Sequence, residues 1–377
     1  MKVLHVIYTS GIYGAEKHLL DLLPELKKFD IQCDLLFICP KKSVLSLREY
    51  CNQLNEKGIK ATLLPTTSKI SLLLTLPTIF RYLRSNNIHI IHSHLFSADI
   101  IAVLIKKIYF KKLIILSTKH GYEEKYLVQY GLGNQKIKYN FYYFITRAII
   151  KRTDYNLAVS RSLSEIYYSL KLSENKMKYV LHGINREPLT EIQKQRKGNP
   201  KIMIVGRLAQ IKGHSYLFQA LPEIIKKFPG LKLFVLGEGS LKEKLIKQAE
   251  SLNILDHIEF VGFAKPQTYT PECQLIIAPS LYESFGLVYI ESFALKIPVI
   301  AFDAETANQI IEDNKTGILV HKLNTKALSE KIIYLLGNPD ERKRIVENAH
   351  SKYLEYYTVE RMAKETAEWY RSVLTSR

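Results

Sequence analysis

Short apolar runs alternate with amphipathic stretches along almost the whole chain. In the first half the runs fall at Val3–Tyr8, Cys33–Cys39, Ala61–Leu64, Ile88–His92, Ile114–Thr118, Tyr155–Val159 and Lys178–Leu181. Runs of this length, apolar at successive positions, predict strands buried on both faces. Helical patterns lie between them, and such alternation predicts a parallel sheet covered by helices on either side. Glu187 to Pro200 is polar and reads as a linker. The layout then repeats, with strands predicted at Lys201–Val205, Lys232–Leu236, Ile258–Phe260, Leu275–Ala278, Val299–Ala301 and Ile318–Val320. Helical patterns dominate from Asn324. A last one, Val359 to Leu374, has apolar positions at helical spacing.

Composition changes this picture in two ways. The 377 residues suffice for two or three domains, and 47% hydrophobic content is ample for packed cores. No apolar run reaches the roughly 18 residues of a membrane span. The start reads as a strand rather than a signal peptide, so a cytoplasmic location is expected. Cys33, Cys39, Cys51 and Cys273 show no paired spacing and read as reduced, mostly buried thiols. The net charge of +18 is uneven. Residues 1–198 hold 31 Lys and Arg against 15 Asp and Glu, and residues 199–377 hold 23 against 21. Two segments mix cations with large aromatics: Ile105 to Lys112, and Lys136 to Phe144 followed by Arg147, Lys151 and Arg152. That mixture suits peripheral contact with an anionic membrane surface. It is equally the pattern of a helix with a core face and a cationic solvated face. No nucleic-acid motif accompanies it, and no nucleic-acid partner is expected.

Candidate chemistry concentrates in two places of the second half. In Glu283-Ser284-Phe285-Gly286-Leu287-Val288-Tyr289-Ile290-Glu291, two glutamates stand eight positions apart around a small and apolar stretch. Gly286 reads as the start of a buried helix, whose first N–H groups and positive dipole end suit a diphosphate. Glu291 falls about two turns beyond Glu283, on nearly the same helix face. The second place follows the strand Lys201–Val205, where Gly206 and Arg207 are succeeded by Lys212-Gly213. Ligands of open α/β sheets bind at the carboxyl ends of strands. Arginine can clamp two phosphate oxygens there, and lysine can act as a point charge. Each pattern alone also describes ordinary surface residues.

Together with Tyr13-Gly14-Ala15-Glu16, His92-Ser93-His94, His120-Gly121, the Asp154–Ser160 strand, His182-Gly183-Ile184-Asn185, Gly237-Glu238-Gly239 and Val261-Gly262, these motifs resemble glycosyltransferase family 4, the retaining group with the GT-B fold. The resemblance implies two Rossmann-like, doubly wound parallel-sheet domains facing across a cleft. Residues 1–190 would form the acceptor-side domain and 200–355 the nucleotide-sugar domain. Residues 356–377 would form a helix packing back on the first domain. It also implies roles. Arg207 and Lys212 would neutralise the leaving diphosphate, Glu283 would meet donor-sugar hydroxyls, and Glu291 would hold the ribose. Gly206, Ser284, Phe285, Gly286 and Leu287 would line the donor site. Gly14 would let the backbone approach the diphosphate from the opposite domain. His120 would be a positioning residue near the donor sugar and acceptor. His182 and Asn185 depart from the family's usual loop, which leaves that loop's role open.

The chain contains no Asp-x-Asp, the metal-holding motif of other transferase folds, so neither a metal nor another cofactor is expected. His92 and His94 could face the same way after a strand, but no third ligand stands at a useful spacing. The first turn is not the G-x-G-x-x-G fingerprint of a dinucleotide enzyme. The expected reaction moves a sugar, with UDP as the favoured carrier, to a glycan or lipid-linked acceptor of a bacterial surface polysaccharide or glycolipid. The competing readings are a nucleotide-sugar epimerase or hydrolase on the same fold, and a basic membrane- or nucleic-acid-binding protein without catalysis.

Overall fold

The computed structural model describes residues 1–68, 70–108, 112–121, 141–175, 177–185 and 198–375. The aromatic and basic residues at 109–111 and 136–140, and most of the segment read as a linker, lie outside the described residues.

The chain forms two compact units. One comprises Met1–Gly183 with Thr358–Arg377, the other Ile184–Tyr357.

The first unit carries a seven-stranded sheet, its strands being β1 (Lys2–Tyr8), β2 (Gln32–Pro40), β3 (Lys60–Thr66), β4 (Ile90–His94), β5 (Ile114–Lys119), β6 (Tyr155–Ala158) and β7 (Lys178–Tyr179). The spatial order is β3-β2-β1-β4-β5-β6-β7 and every pairing is parallel. Chain direction across the sheet reverses between β1 and β4, so their carboxyl ends flank the topological switch where open sheets leave a crevice. Helices α1 (Gly14–Leu26), α2 (Val44–Glu56), α3 (Leu76–Ser85), α4 (Phe96–Ile108), α5 (Phe141–Ile150) and α6 (Arg161–Ser169) connect the strands. Among the described residues, one apolar cluster lies on each face. Val3, Ile7 and Phe37 belong to one, and Leu4, Val6 and Ile38 to the other. Alternate residues of a strand point to opposite faces, which is why β1 feeds both.

The second unit has six strands: β8 (Lys201–Val205), β9 (Lys232–Leu236), β10 (Ile258–Gly262), β11 (Leu275–Ala278), β12 (Val299–Phe302) and β13 (Ile318–Val320). Their order is β10-β9-β8-β11-β12-β13, again parallel throughout. Here the switch lies between β8 and β11. Its helices are α7 (His214–Lys227), α8 (Lys242–Ser251), α9 (Pro266–Tyr269), α10 (Leu287–Ala294), α11 (Glu305–Ile310), α12 (Thr325–Gly337) and α13 (Pro339–Tyr356).

The final helix, α14 (Val359–Thr375), belongs to the first unit. Its buried Met362, Ala363, Ala367, Trp369, Tyr370 and Val373 join the cluster that contains Leu19, Leu22 and Val3. All four cysteines are buried.

Two local readings need correction. Strand β4 runs on to His94 rather than ending at His92, because backbone pairing with β1 and β5 continues through both histidines. Glu283 is not on the helix that carries Glu291. Helix α10 begins at Leu287, after Gly286 with φ of 88°, a left-handed conformation that stops the helix extending backwards.

Candidate functional site

In the second unit, the loops after β8 and β11 meet at the switch point. Gly206 and Arg207 leave β8. Arg207 is exposed, and Leu208 beside it is fully buried and anchors the loop. Gln210–Lys212 make one turn of 3-10 helix that ends at Gly213, φ 73°. A Cβ on Gly213 would overlap the carbonyl oxygen of Pro279. Glycine is therefore what allows the two loops to touch, and it presents Lys212 to the other side. There Lys212 Nζ donates to Glu283 Oε1 at 2.6 Å. Ser280 Oγ donates to the same carboxylate oxygen at 2.9 Å, and Thr306 Oγ1 donates to the Glu283 carbonyl at 2.5 Å. Glu283 is thus held from three directions, by an ammonium and two hydroxyls.

Ser284, Phe285 and Gly286 lead from Glu283 into α10, with Phe285 buried. The first N–H groups of α10 have no partner inside the helix, and its amino end is the positive end of the dipole. Leu287 opens the helix, and Glu291 lies in its middle, 7% exposed. The structure therefore gathers Gly206, Lys212, Glu283, Ser284, Phe285, Gly286 and Leu287 around one switch point. A cationic side chain, a fixed carboxylate and a helix amino end can together receive a diphosphate attached to a hydroxyl-rich group.

His214, the first residue of α7, is buried and neither ring nitrogen has a hydrogen-bond partner among the described residues. Burial, with a smaller contribution from Lys212, lowers its pKa to about 4.

Gly14 and His120 belong to the first unit. Gly14 is exposed at the start of α1, where the Tyr13 N–H donates to Glu16 Oε2 at 2.8 Å and closes the first turn. His120 follows β5 and is partly exposed. It does not stand alone. His5, His18, His92, His94, His120 and His182 cluster, with ring centroids 4.2 Å apart for His18 and His182 and 5.1 Å for His18 and His120. Sequence reasoning missed two of these six, His18 and His5. The register of β1 on β4 sets it directly opposite His92. A histidine inside a buried first strand was the available signal.

One nitrogen each from His5, His92 and His94 can be chosen within 4.8 Å of one another, a spacing three imidazoles could use around a metal ion. Hydrogen bonds also account for these nitrogens. His5 Nδ1 meets His94 Nε2 at 2.9 Å, while His92 meets Tyr370 and Thr118. Burial lowers the pKa of His5 and of His18 to about 3, and holds His92, His94, His120 and His182 well below the ordinary imidazole value.

Beside this cluster lies a buried ion pair that the sequence reading did not single out. Lys119 Nζ donates to Asp99 Oδ2 at 2.6 Å, and Ser93 and Ser117 donate to Asp99 Oδ1, each at 2.6 Å. With side chains 6% and 2% exposed, the charges are dry but hydrogen-bonded to each other and to serine hydroxyls.

Comparison with known proteins agrees with this architecture. Residues 12–188 match the model of Glycosyltransferase Family 4, and residues 185–352 match that of Glycosyl transferases group 1. The Uncharacterized glycosyltransferase MJ1178 of Methanocaldococcus jannaschii is 30% identical over 273 residues, 71% of this chain and 70% of that protein. Alpha-D-kanosaminyltransferase of Streptomyces kanamyceticus is 28% identical over 178 residues, 46% of each chain. The chain thus spans about half the length of several curated relatives it matches. Among solved structures, Anabaena Alr3699/HepE, crystallised with UDP and glucose, superposes with a TM-score of 0.80 at 17% identity, covering 99% of this chain and 100% of that one. That likeness shows the GT-B fold. With its two parallel-sheet units, two family models matched one after the other and a glycosyltransferase relative 30% identical, the chain belongs to glycosyltransferase family 4.

Proposed function

We propose that this glycosyltransferase moves a sugar from a UDP-sugar, with retention of anomeric configuration and without a metal, to a glycan or lipid-linked acceptor of a bacterial surface polysaccharide or glycolipid. The observation that carries the donor site is the Lys212–Glu283 contact, 2.6 Å, at the switch point between β8 and β11. It brings a cation for phosphate and a carboxylate for hydroxyls to one spot, as a sugar diphosphate requires. Breaking the anomeric bond puts negative charge on the diphosphate, and preorganised donors aimed at it lower the barrier. Arg207, Lys212 and the amino end of α10 are those donors in this reading. They supply the charge that a metal supplies in other folds. Glu291 holds the ribose hydroxyls, Gly14 admits the diphosphate, and His120 positions the sugar. The UDP complex of the Anabaena protein supports uracil as the base.

Support for a membrane-bound acceptor comes from the first unit. Helices α4 and α5 carry Lys106, Lys107 and Arg147 with the exposed apolar Ile108 and Phe144, and Lys151 and Arg152 follow α5 directly. Lys106 and Lys151 are engaged with Asp154 and Glu174, which reduces the free charge. No helix among the described residues is long and apolar enough to cross a membrane. The reading is therefore of a cytoplasmic enzyme resting peripherally on the inner membrane face.

Thermal-shift titration with UDP, GDP, ADP and CMP, with and without magnesium, tests the donor site. A rise with UDP that magnesium leaves unchanged and Lys212→Ala abolishes is the expected result. No rise with any nucleotide would refute the donor site, and a rise needing magnesium would refute metal independence. Product formed without an acceptor would favour hydrolysis or epimerisation. Co-sedimentation with phosphatidylglycerol vesicles tests the membrane contact.

A further inference from the structure

Six side chains of the first unit form one continuous hydrogen-bonded file. Thr118 Oγ1 meets His92 Nε2 at 2.7 Å, and His92 Nδ1 meets the Tyr370 hydroxyl at 2.5 Å. The same hydroxyl meets His5 Nε2 at 3.3 Å. His5 Nδ1 then meets His94 Nε2 at 2.9 Å, and His94 Nδ1 meets His120 Nε2 at 3.0 Å. Five of the six residues are buried, and His120 at the end is partly exposed. No described residue hydrogen-bonds the remaining nitrogen of His120, Nδ1.

The file has a direction. Burial keeps its imidazoles neutral, so each has one nitrogen that donates and one that accepts. In a row of such rings, fixing the proton on one fixes it on all. Tyr370 lies in the middle with a single hydrogen, which burial helps it keep. A phenol is a stronger hydrogen-bond donor than a neutral imidazole, and O–H donors make shorter contacts than N–H donors. The 2.5 Å contact is therefore Tyr370 donating to His92 Nδ1, and the 3.3 Å contact is His5 Nε2–H donating to Tyr370. On one side His92 Nε2–H then donates to Thr118. On the other, His94 Nε2–H donates to His5, and His120 Nε2–H donates to His94. Every ring in the file carries its proton on Nε2, and His120 Nδ1 is left as a bare lone pair at the accessible end.

We propose that Tyr370, on the last helix, sets the tautomer of His120 through His5 and His94, so that His120 presents Nδ1 as a hydrogen-bond acceptor for a sugar hydroxyl. Tyr370 is a positioning residue that acts through others. The sugar hydroxyl rests on the transferase reading, whereas the tautomer does not. The file also explains why a tyrosine from the far end of the chain is buried among histidines of β1 and β4, where a phenylalanine would fill the space without the hydroxyl.

The test is nitrogen-15 NMR of histidine-labelled full-length protein near neutral pH without ligand, with His120 assigned by its loss in His120→Gln. The wild-type protein should show His120 protonated on Nε2 and unprotonated on Nδ1. In Tyr370→Phe the direction of the file is no longer set, and His120 should become a mixture of both tautomers. Thr118→Val, at the opposite end, should leave His120 as in wild type. Transfer by Tyr370→Phe should then show kcat down about tenfold, the cost of one misaligned hydrogen bond, with donor KM unchanged. A wild-type His120 protonated on Nδ1 would overturn the proposal, and this result needs no Tyr370 or Thr118 variant, only the folded His120→Gln used for assignment. So would an unchanged His120 in Tyr370→Phe, or an equal change in Thr118→Val. A stoichiometric metal on these imidazoles would overturn it as well, because the metal would occupy their lone pairs. If the NMR results stand but no transferase activity exists, only the sugar-binding reading fails.

Discussion

Lys212 Nζ and Glu283 Oε1 lie 2.6 Å apart, joining the loop after β8 to the loop after β11. Both side chains are mostly covered, 23% and 12% exposed. Without a nucleotide the lysine neutralises the glutamate, and a bound diphosphate would compete for the same ammonium. Lys212→Ala should weaken UDP binding about 10- to 100-fold, the range for a lost charge-assisted hydrogen bond. Glu283→Gln should leave UDP binding within a few-fold but lower kcat/KM for the UDP-sugar by about 100-fold or more, since its proposed contact is to the sugar. Calorimetric titration and initial-rate kinetics separate the two. Equal losses of UDP affinity in both variants would rule out this division of labour.

Gly213 should not tolerate a side chain. Its φ is 73° and a Cβ would run into the Pro279 carbonyl oxygen. Gly213→Ala should destabilise the second unit by about 2–4 kcal/mol, combining strain with overpacking. For a unit of this size that lowers its melting temperature by roughly 5–15 °C. Calorimetry of the variant, showing instead an unshifted transition, would mean the two loops can part freely.

The Asp99–Lys119 pair offers a test of buried charge. Lys119→Met leaves a carboxylate in a dry site with only Ser93 and Ser117 as partners. The expected loss is about 3–5 kcal/mol in urea unfolding. Asp99→Leu combined with Lys119→Met removes both charges and should recover part of that loss. A double variant no better than Lys119→Met would show that the serine hydroxyls, and not the lone charge, carry the cost.

Acid should unfold the first unit before the second. His5 and His18 are pushed from 6.5 to about 3 by burial, and His92, His94, His120 and His182 are pushed down in the same direction. Below pH 6.5 the unfolded chain takes up protons that the folded rings refuse. The stability of the unit is therefore fully present above 6.5 and declines as pH falls from there toward the folded values. Each ring held neutral costs about 1.4 kcal/mol per pH unit across that window. From about pH 7 to about pH 5.5 the melting temperature of the first unit should fall by roughly 10 °C or more. The second unit, with His214 as its main buried imidazole, should fall less. Calorimetric transitions that shift together would refute the assignment of this sensitivity to the histidine cluster.

The strands were legible because a parallel strand is buried on both faces and reads as an uninterrupted apolar run. Lys201–Val205 and Lys232–Leu236 appear at those same bounds as β8 and β9. Where the pattern misled, a polar residue was the cause. His94 looked like the residue after a strand, yet ladders on both sides keep it inside β4. Glu283 and Glu291 looked like one helix face because their spacing allows it. The left-handed backbone at Gly286 decided otherwise.

The sequence by itself determined the two runs of strands, the glycines at the turns, and the family to which the motifs belong. Each of these is written within a few neighbouring residues, through side-chain period and backbone preference. Only the tertiary structure decided which distant residues touch. Lys212 reaches Glu283 because β8 and β11 are neighbours in the sheet, although 71 positions separate them. His5 faces His92 through strand register, and Tyr370 reaches His5 across 365 positions because α14 packs in the same core as β1. Local propensity carries no information about such contacts. They follow from register and packing, which exist only once the sheet and its covering helices have formed.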